Sequence, residues 1–239
     1  PTADDLRKTI DQAKKEGMKA LVLDLRDNPG GLLESAVEVS DLFIKKGKIV
    51  STKGRAIRDR VWEARDEGTI LKDLPMVVMV NQHSASAAEI VSACLQDHGR
   101  AKVVGQRSYG KGSVQNIMTL DDGVSILKLT VATYWRPSGK NIHRFPRAKA
   151  GDEWGVSPDE GLEVKLNDAD YETWAEARRE RDLAMTLAYH LAMPLSAVQA
   201  CAEDGSRKVA NEFCYRLLGT PGLTAISIIV MSSARMNWP

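Results

Sequence analysis

The sequence lacks several features that would assign it to a specialised class of protein. Its three cysteines, Cys94, Cys201 and Cys214, are an odd number at wide spacing, which excludes a disulfide framework and a paired-cysteine zinc site. Only Cys201 and Cys214 are candidates for a disulfide, and the sequence leaves their pairing open. The longest apolar run, Leu223 to Met231, is too short to cross a bilayer, so we expect no membrane span.

An excess of charge of either sign is also missing, because 33 Lys and Arg residues stand against 32 Asp and Glu residues. The net charge of +1 gives no electrostatic reason to expect nucleic acid or an anionic membrane as a partner. The 239 residues, 43% apolar and 27% charged, suit one large globular domain, alone or with a small appendage. The chain begins with Pro1 and shows no signal peptide, so we expect a fragment or a processed chain.

Strands and helices alternate through the first half of the chain. The predicted segments are, in order, helix 3–17, strand 20–25, helix 32–43, strand 76–80, helix 86–98 and strand 102–105. The strands are short apolar runs, and the helices show apolar residues at helical spacing. This alternation predicts crossover units and a mostly parallel sheet.

The second half predicts an added hairpin and a helical end. In order, we expect a strand at 113–120, a strand at 124–135, a loop at 136–160, a helix at 171–193 and a helical stretch at 206–218. Asp121-Asp-Gly123 separates the two strands and is typical of a hairpin turn. Pro194 prevents continuation of the long helix.

The first candidate for catalytic chemistry is the segment Ser84-Ala-Ser-Ala-Ala-Glu89, which lies between a buried strand and a helix. A serine at a helix start is usually a cap for a backbone N–H group. Alternatively, Ser86 occupies a tight strand-to-helix turn that exposes its hydroxyl beside the free N–H groups of the helix. Those N–H groups and the helix dipole favour developing negative charge, as in an oxyanion site.

The second segment, Gly105-Gln-Arg-Ser-Tyr-Gly-Lys-Gly-Ser-Val-Gln115, matches two known motifs incompletely. It departs from a phosphate loop because Gly112 stands where a hydroxyl would hold magnesium and a strand follows instead of a helix. Ser108 to Lys111 spells Ser-x-x-Lys, but that motif requires a helical turn, which the glycines beside the lysine oppose. A lone lysine between two glycines, such as Lys111, is more often an ordinary solvated loop residue than a functional one.

The third segment, Asp24-Leu-Arg-Asp-Asn-Pro-Gly-Gly31, follows the first buried strand. A glycine pair after a strand commonly only permits a turn. It can also let backbone N–H groups approach a ligand oxygen and supply half of an oxyanion hole.

Together, these segments resemble the C-terminal processing peptidases, also called tail-specific proteases, a serine–lysine family. The resemblance covers roughly residues 5–170. It rests, in family order, on Leu21-Val-Leu-Asp-Leu-Arg-Asp-Asn-Pro-Gly-Gly31, Asn81-Gln-His-Ser-Ala-Ser-Ala-Ala-Glu-Ile90, Val104-Gly-Gln-Arg-Ser-Tyr-Gly-Lys-Gly-Ser-Val-Gln115, Gly123, Trp135-Arg-Pro-Ser-Gly-Lys140 and Gly155-Val-Ser-Pro-Asp159.

The resemblance implies a complete catalytic set. The nucleophile of the family falls on Ser86, its general base on Lys111 and its lysine-orienting glutamine on Gln115. The resemblance also assigns the oxyanion donors to the backbone N–H of Ala87 and to that of a glycine in the Pro29-Gly-Gly31 turn, with Gly31 preferred to Gly30. It implies an acyl-enzyme mechanism without metal or cofactor.

Lysine is normally protonated at neutral pH, so a lysine base needs burial or nearby positive charge. We expect an apolar strand setting for Lys111 to supply this desolvation. On a strand, residues 111, 113 and 115 share one face, so Gln115 would reach the lysine amine. A glutamine suits this position better than a glutamate, because an anion would favour the protonated lysine.

Two other groupings of reactive side chains are weaker. His83 precedes Ser86 by three residues and is expected to lie exposed on the incoming turn rather than act as a base. Cys94 and His98 are four residues apart on one helix, but no third group accompanies them, so core packing of Cys94 is the better interpretation. His143 and His190 form no metal-ligand pattern with their neighbours.

The resemblance also implies an α/β fold, a crotonase- or ClpP-like core of βαβ units with the added hairpin. We assign residues 1–170 to the protease core and residues 171–239 to a helical C-terminal segment of unknown role. The family implies protein substrates with unstructured, apolar C-terminal tails, a PDZ domain upstream of Pro1, and an extracytoplasmic location.

Two alternatives remain open at this point. A non-catalytic peptide-binding module would keep the fold without an activated serine. A crotonase-like acyl-CoA enzyme would share the architecture but would not need Lys111 or Gln115. The sequence leaves oligomeric state and cleavage preference open.

Overall fold

The computed structural model describes residues 2–55, 57–70, 74–120, 123–149, 151–191 and 227–231. Its elements are α1 (Thr2–Lys15), β1 (Ala20–Asp24), α2 (Leu33–Asp41), β2 (Gly47–Lys53), β3 (Arg60–Ala64), β4 (Met76–Val80), α3 (Ala87–Asp97), β5 (Lys102–Gly105), β6 (Ser113–Thr119), β7 (Ile126–Trp135), α4 (Asp168–Leu191) and β8 (Ser227–Met231). The chain divides into two compact units, residues 1–164 with 226–239 and residues 165–225.

A mostly parallel sheet, with the order β5-β4-β1-β8, forms the centre of the first unit. Strands β1, β4 and β5 pair in parallel, as the sequence predicted, and β8 adds to the other edge of β1 in antiparallel orientation. Leu23 and Val78 are fully buried in this sheet. The carboxyl ends of β1, β4 and β5 therefore meet at one edge, from which the segments that follow them emerge.

The helices of this unit use small and aliphatic residues to pack closely. The buried face of α1 consists of Ala3, Leu6, Ile10 and Ala13, and α1 packs on α2, which packs on α3. The first nine residues of α3, Ala87 to Leu95, are all buried. Because this helix is enclosed on every side, its first turn is held rigidly where it leaves β4.

A second, antiparallel sheet has the order β3-β2-β7-β6. It contains the predicted β6–β7 hairpin, but it also contains β2 and β3, which the sequence analysis did not identify. In β2 four consecutive residues are buried, two of them the polar Ser51 and Thr52, and β3 is short and mostly exposed. Neither strand shows the alternation of apolar and polar residues that marks a half-buried strand.

The C-terminal part was predicted less well. Helix α4 confirms most of the expected long helix, and residues 136–160 are largely irregular as predicted. Residues 227–231, however, form a strand paired with β1, so this segment is not helical throughout. The predicted helix at 206–218, with Cys201 and Cys214, lies outside the described residues. Within the described ranges, we find no helix long and apolar enough to span a membrane.

Candidate active site

Ser86 occupies a strained turn between β4 and α3. Its backbone has φ 55° and ψ −115°, a combination that costs a serine roughly 1–3 kcal/mol and persists only where the surroundings impose it. The surroundings here are well defined, because the buried Ser84 hydroxyl accepts the Asn81 N–H at 2.9 Å and donates to Leu25 O at 2.7 Å. The turn that exposes a nucleophilic serine in many hydrolases is strained in the same way.

The Pro29-Gly-Gly31 turn packs directly against Ser86. A Cβ atom added to Gly30 would lie 2.6 Å from Ala85 O, 2.7 Å from Ala87 N and 2.8 Å from Ser86 Cβ. Gly30 also has φ +97°, in the region that favours glycine. Glycine is therefore required at this position, and the structure brings the turn and the serine together as the sequence predicted.

The N–H groups around Ser86 differ in their availability. The Gly30 N–H donates to Asn28 Oδ1 at 2.9 Å, whereas within the described part of the chain the N–H groups of Gly31 and Ala87 donate to no protein acceptor. Ala87 is the first residue of α3, where a free N–H group is expected. The N–H groups of Gly31 and Ala87 are thus available to a ligand oxygen, and that of Gly30 is not.

Glu89 connects the serine turn to the lysine turn. Its carboxylate is fully buried and accepts four hydrogen bonds. Oε2 accepts the backbone N–H groups of Ser86 and Lys111, both at 2.8 Å, and Oε1 accepts the Ser108 hydroxyl at 2.5 Å and the Gly110 N–H at 2.6 Å. Burial raises the pKa of the Glu89 carboxyl, and these hydrogen bonds oppose that shift.

The sequence motifs predicted no role for Glu89. The available signal was the pattern Ser86-x-x-Glu89, a capping box, in which the glutamate accepts the N–H of the residue before the helix. That pattern predicts the contact with Ser86 but not the contacts with residues 108–111, which are distant in the sequence.

Lys111 lies in an irregular segment before β6 and is exposed. The expectation of an apolar strand setting for this lysine was therefore wrong: the strand begins two residues later, at Ser113. The segment is nevertheless fixed, because Tyr109 N donates to Ser84 O at 2.9 Å and Tyr134 N donates to Gly112 O at 2.7 Å. The backbone of Lys111 is thus held while its side chain faces solvent.

Gln115 points across the hairpin rather than towards Lys111. Its Nε2 donates to Thr130 Oγ1 at 2.6 Å and to Ser113 Oγ at 3.3 Å. The β6–β7 pairing shifts register between Val114 and Gln115, which breaks the alternation that would place residues 111, 113 and 115 on one face. Among the hydrogen bonds of the described residues, none joins Gln115 to Lys111.

The weaker groupings of the sequence analysis are resolved by their surroundings. His83 is exposed on the turn before Ser86, as expected. His98 contacts Lys48 O through Nε2 at 2.7 Å, and burial raises the pKa of the Cys94 thiol to about 12. Cys94 is therefore a core residue rather than a nucleophile, and across the described ranges no cluster of His, Cys, Asp and Glu is suited to a metal.

A largely buried ion pair between Arg136 and Asp97 lies at the C-terminal end of α3. Arg136 donates to Asp97 Oδ1 at 2.5 Å and to Oδ2 at 3.2 Å, and the Ser138 N–H also donates to Oδ2 at 3.0 Å. Burial opposes ionisation of Asp97, but the hydrogen bonds and charge of Arg136 and the Ser138 N–H together lower the pKa of its carboxyl. The pair connects the segment after β7 to α3, the helix that follows Ser86.

Comparison with known proteins identifies the family of this chain. The profile of peptidase family S41 matches residues 1–161, about two thirds of the chain. The chain belongs to peptidase family S41. This is a family of serine proteases that includes the C-terminal processing proteases, so the resemblance inferred from the sequence motifs is confirmed.

Two curated members of the family S41 proteases are similar over most of the chain. The carboxy-terminal-processing protease of Bartonella bacilliformis is 39% identical over 176 residues, which are 69% of this chain and 38% of that protein. The carboxy-terminal processing protease CtpA of Bacillus subtilis is 43% identical over 153 residues, 62% of this chain and 32% of that protein. The chain thus spans about a third of the length of these family S41 relatives.

A solved family S41 structure supports the fold. The photosystem II D1 C-terminal processing protease superposes with a TM-score of 0.60 at 32% sequence identity, over 69% of this chain and 39% of that protein. A protease from Bacteroides fragilis, described as a member of the same family, superposes with a TM-score of 0.54 over 72% of this chain at 21% identity and supports the fold alone.

Proposed function

We propose that the protein is a serine endopeptidase that cleaves proteins near their C-terminal tails through an acyl-enzyme. The observation that carries the proposal is the strained Ser86 turn, against which the Gly30–Gly31 turn packs and to which Glu89 fastens the Lys111 segment. These contacts bring the backbones of Ser86, the Gly30–Gly31 turn and Lys111 to the carboxyl ends of β1 and β4, which supports the proposal of a nucleophile, two N–H donors and a base.

The proposed mechanism has two half-reactions, acylation of Ser86 and hydrolysis of the acyl-enzyme. Neutral Lys111 takes the Ser86 proton while Ser86 Oγ attacks the peptide carbonyl. The oxyanion then rests on the N–H groups of Ala87 and Gly31, and Lys111 protonates the leaving amine. In the second half, Lys111 activates water, which releases the acyl group from Ser86.

The exposed Lys111 side chain needs a source of desolvation before it acts as a base. We propose that the bound peptide supplies it by covering the lysine amine. Gln115, as the orienting residue, would have to leave Thr130 to reach Lys111. Its participation is thus a proposal that requires a change of side-chain conformation on substrate binding.

The remaining features are proposals that rest on the family. Unstructured C-terminal tails with apolar residues are the proposed substrates, and the similar proteins are named for C-terminal processing. No metal or cofactor has a part in the mechanism. An extracytoplasmic location, a PDZ domain upstream of Pro1 and a crotonase-like core belong to the same set of proposals.

The direct test is hydrolysis of an unfolded protein with an apolar tail between about pH 6 and pH 10. Ser86→Ala and Lys111→Ala should each lower the rate by about a thousandfold or more, because both act in one catalytic unit. Lys19→Ala, which removes an exposed lysine after α1, is the matched control and should leave the rate unchanged. Full activity of Lys111→Ala would refute the assignment of the base.

Labelling by a fluorophosphonate separates this proposal from the alternatives. An activated Ser86 should form a covalent adduct that Ser86→Ala loses, whereas a peptide-binding module would bind peptide without labelling. An acyl-CoA enzyme would bind coenzyme A measurably and would keep its activity without Lys111.

A further inference from the structure

Two arginines stack on one tryptophan beside the lysine turn. The guanidinium carbons of Arg107 and Arg144 lie 4.8 Å and 4.7 Å from the ring centroid of Trp154. Both distances are within the range of a cation–π contact. We call these three residues the arginine–tryptophan stack. Arg107 lies in the segment Gly105 to Gln115, whereas Arg144 and Trp154 lie outside the sequence motifs quoted above.

The stack is built against the residue that precedes Lys111. Arg144 N donates to Gly110 O at 2.9 Å, and a Cβ atom added to Gly110 would lie 2.7 Å from Arg144 Cβ and 2.8 Å from Trp154 Cε3. Gly110 also has φ +86°. A side chain at position 110 would therefore separate the stack from the lysine turn.

The two arginines differ in what their guanidinium groups contact. Arg107 is held in place, because it donates to Ser157 Oγ at 3.1 Å and to Asp152 O at 3.2 Å. Arg144 is exposed, and among the described residues its guanidinium makes neither a hydrogen bond nor an ion pair and contacts only the face of Trp154. A stacked guanidinium is oriented in advance, and its N–H groups match the two oxygens of a carboxylate.

Acidic groups of the same segment do not neutralise Arg144. Glu153 pairs with Lys140 at 2.5 Å, and Asp152 Oδ2 accepts the Lys149 N–H at 2.8 Å within its own turn. The charge of Arg144 is thus available to a ligand.

The proposed mechanism indicates which part of the substrate lies near Arg144. Lys111 protonates the leaving amine, so the part of the substrate on the C-terminal side of the cleaved bond departs past Lys111. That part ends in the α-carboxylate of the substrate, which lies close to the cleaved bond when cleavage occurs near the end of a protein. We propose that Arg144, held on Trp154 together with Arg107, binds a substrate carboxylate on the C-terminal side of the cleaved bond. This inference rests on the proposed function.

The experiment uses a series of peptides with one cleavage site and two to eight residues after it. Each peptide is made as a free acid and as a C-terminal amide, and kcat and KM are measured for both. The wild-type chain should cleave the free acid about tenfold more efficiently at one tail length, since a hydrogen-bonded charge pair has roughly that effect. The preference should fade at longer tails, in which the carboxylate passes beyond Arg144.

Arg144→Gln should abolish the preference through KM and leave the cleavage of amidated peptides unchanged. Arg144→Lys should retain part of it, because the charge stays while the planar fork is lost. Arg147→Gln is the matched control, since Arg147 is exposed in the same segment and, among the described residues, makes no cation–π contact with Trp154. An equal preference in Arg144→Gln and the wild type would overturn the inference.

A further set of amidated peptides carries one Asp after the cleavage site. If the Arg144-dependent preference follows this Asp and not the C-terminus, the subsite takes a side-chain carboxylate, and the proposed chemistry still holds. Cleavage by the wild type without any carboxylate preference would overturn the subsite but not the peptidase.

Binding to Ser86→Ala, measured by calorimetry, keeps the two proposals distinguishable. If the wild type cleaves no peptide and forms no fluorophosphonate adduct, the proposed function fails. Tighter binding of the free acid to Ser86→Ala, lost when Arg144→Gln is added, would then still support the subsite. Equal binding of acid and amide would overturn it.

Discussion

The carboxylate of Glu89 accepts the backbone N–H of Lys111 at 2.8 Å, although the two residues are 22 positions apart in the sequence. The same oxygen accepts the N–H of Ser86. One buried side chain therefore sets the separation of the serine turn and the lysine turn, and the proposed chemistry depends on a group that does not itself contact the substrate.

Replacing Glu89 by Gln should impair both the fold and the proposed reaction. An amide NH₂ group in place of one carboxylate oxygen removes the acceptor either of the Ser86 and Lys111 N–H groups or of the Gly110 N–H, at a cost of about 1–3 kcal/mol for each unsatisfied group. The melting temperature should fall. Fluorophosphonate labelling of Ser86, measured well below the melting temperature of the variant, should also be slower than in the wild type. Glu38→Gln, on the exposed face of α2, is the control. Labelling at the wild-type rate would contradict a positioning role for Glu89.

Gly30→Ala should separate the proposed oxyanion turn from Ser86, the proposed nucleophile. Its Cβ would lie within 2.8 Å of Ser86 Cβ, so one of the two turns must move. Loss of one oxyanion donor typically lowers kcat by about 10²–10³-fold. Gly139→Ala is a matched control, because Gly139 has a similar φ of +85° but its Cβ would meet nothing within 4 Å. Equal losses in both variants would show that backbone strain alone causes the effect.

Asp97 should contribute to stability mainly above its ordinary pKa. Because the folded state lowers the pKa of Asp97, its contribution is present above the ordinary value of 3.8 and is lost as the pH falls through the lowered value. Asp97→Asn should cost roughly 3 kcal/mol at neutral pH, where it leaves Arg136 without its buried partner. Thermal unfolding followed from about pH 7 to pH 2.5 should show the difference shrinking in acid. The exposed Asp11→Asn variant should keep the wild-type acid profile.

Cys94 should resist thiol reagents in the native protein. Its thiol is buried, and its pKa of about 12 leaves very little thiolate at pH 8. Brief alkylation followed by peptide mass spectrometry should find the Cys94 peptide unmodified, and fully modified after denaturation. Rapid labelling of native Cys94 would reveal local opening of α3.

The predicted elements succeeded where local pattern and tertiary environment agree. The apolar runs of β1, β4 and β5 pair in parallel, with one face buried and the apolar residues of the other face partly buried, so hydrophobicity alone marks them. The failures have the opposite cause. Strand β2 buries Ser51 and Thr52, and the bulge at Gln115 breaks the alternation from which its direction was predicted.

The sequence by itself determined the family, the parallel strands β1, β4 and β5 with helices α1 to α3, and the identity of Ser86 and Lys111 as candidate catalytic residues, because these depend on residue type and local spacing. The tertiary structure alone decided which glycine N–H is free, where Gln115 points, and that Glu89 joins the two turns. These depend on hydrogen-bond partners far apart in the chain, and a buried carboxylate accepts whichever N–H groups the folded backbone brings to it.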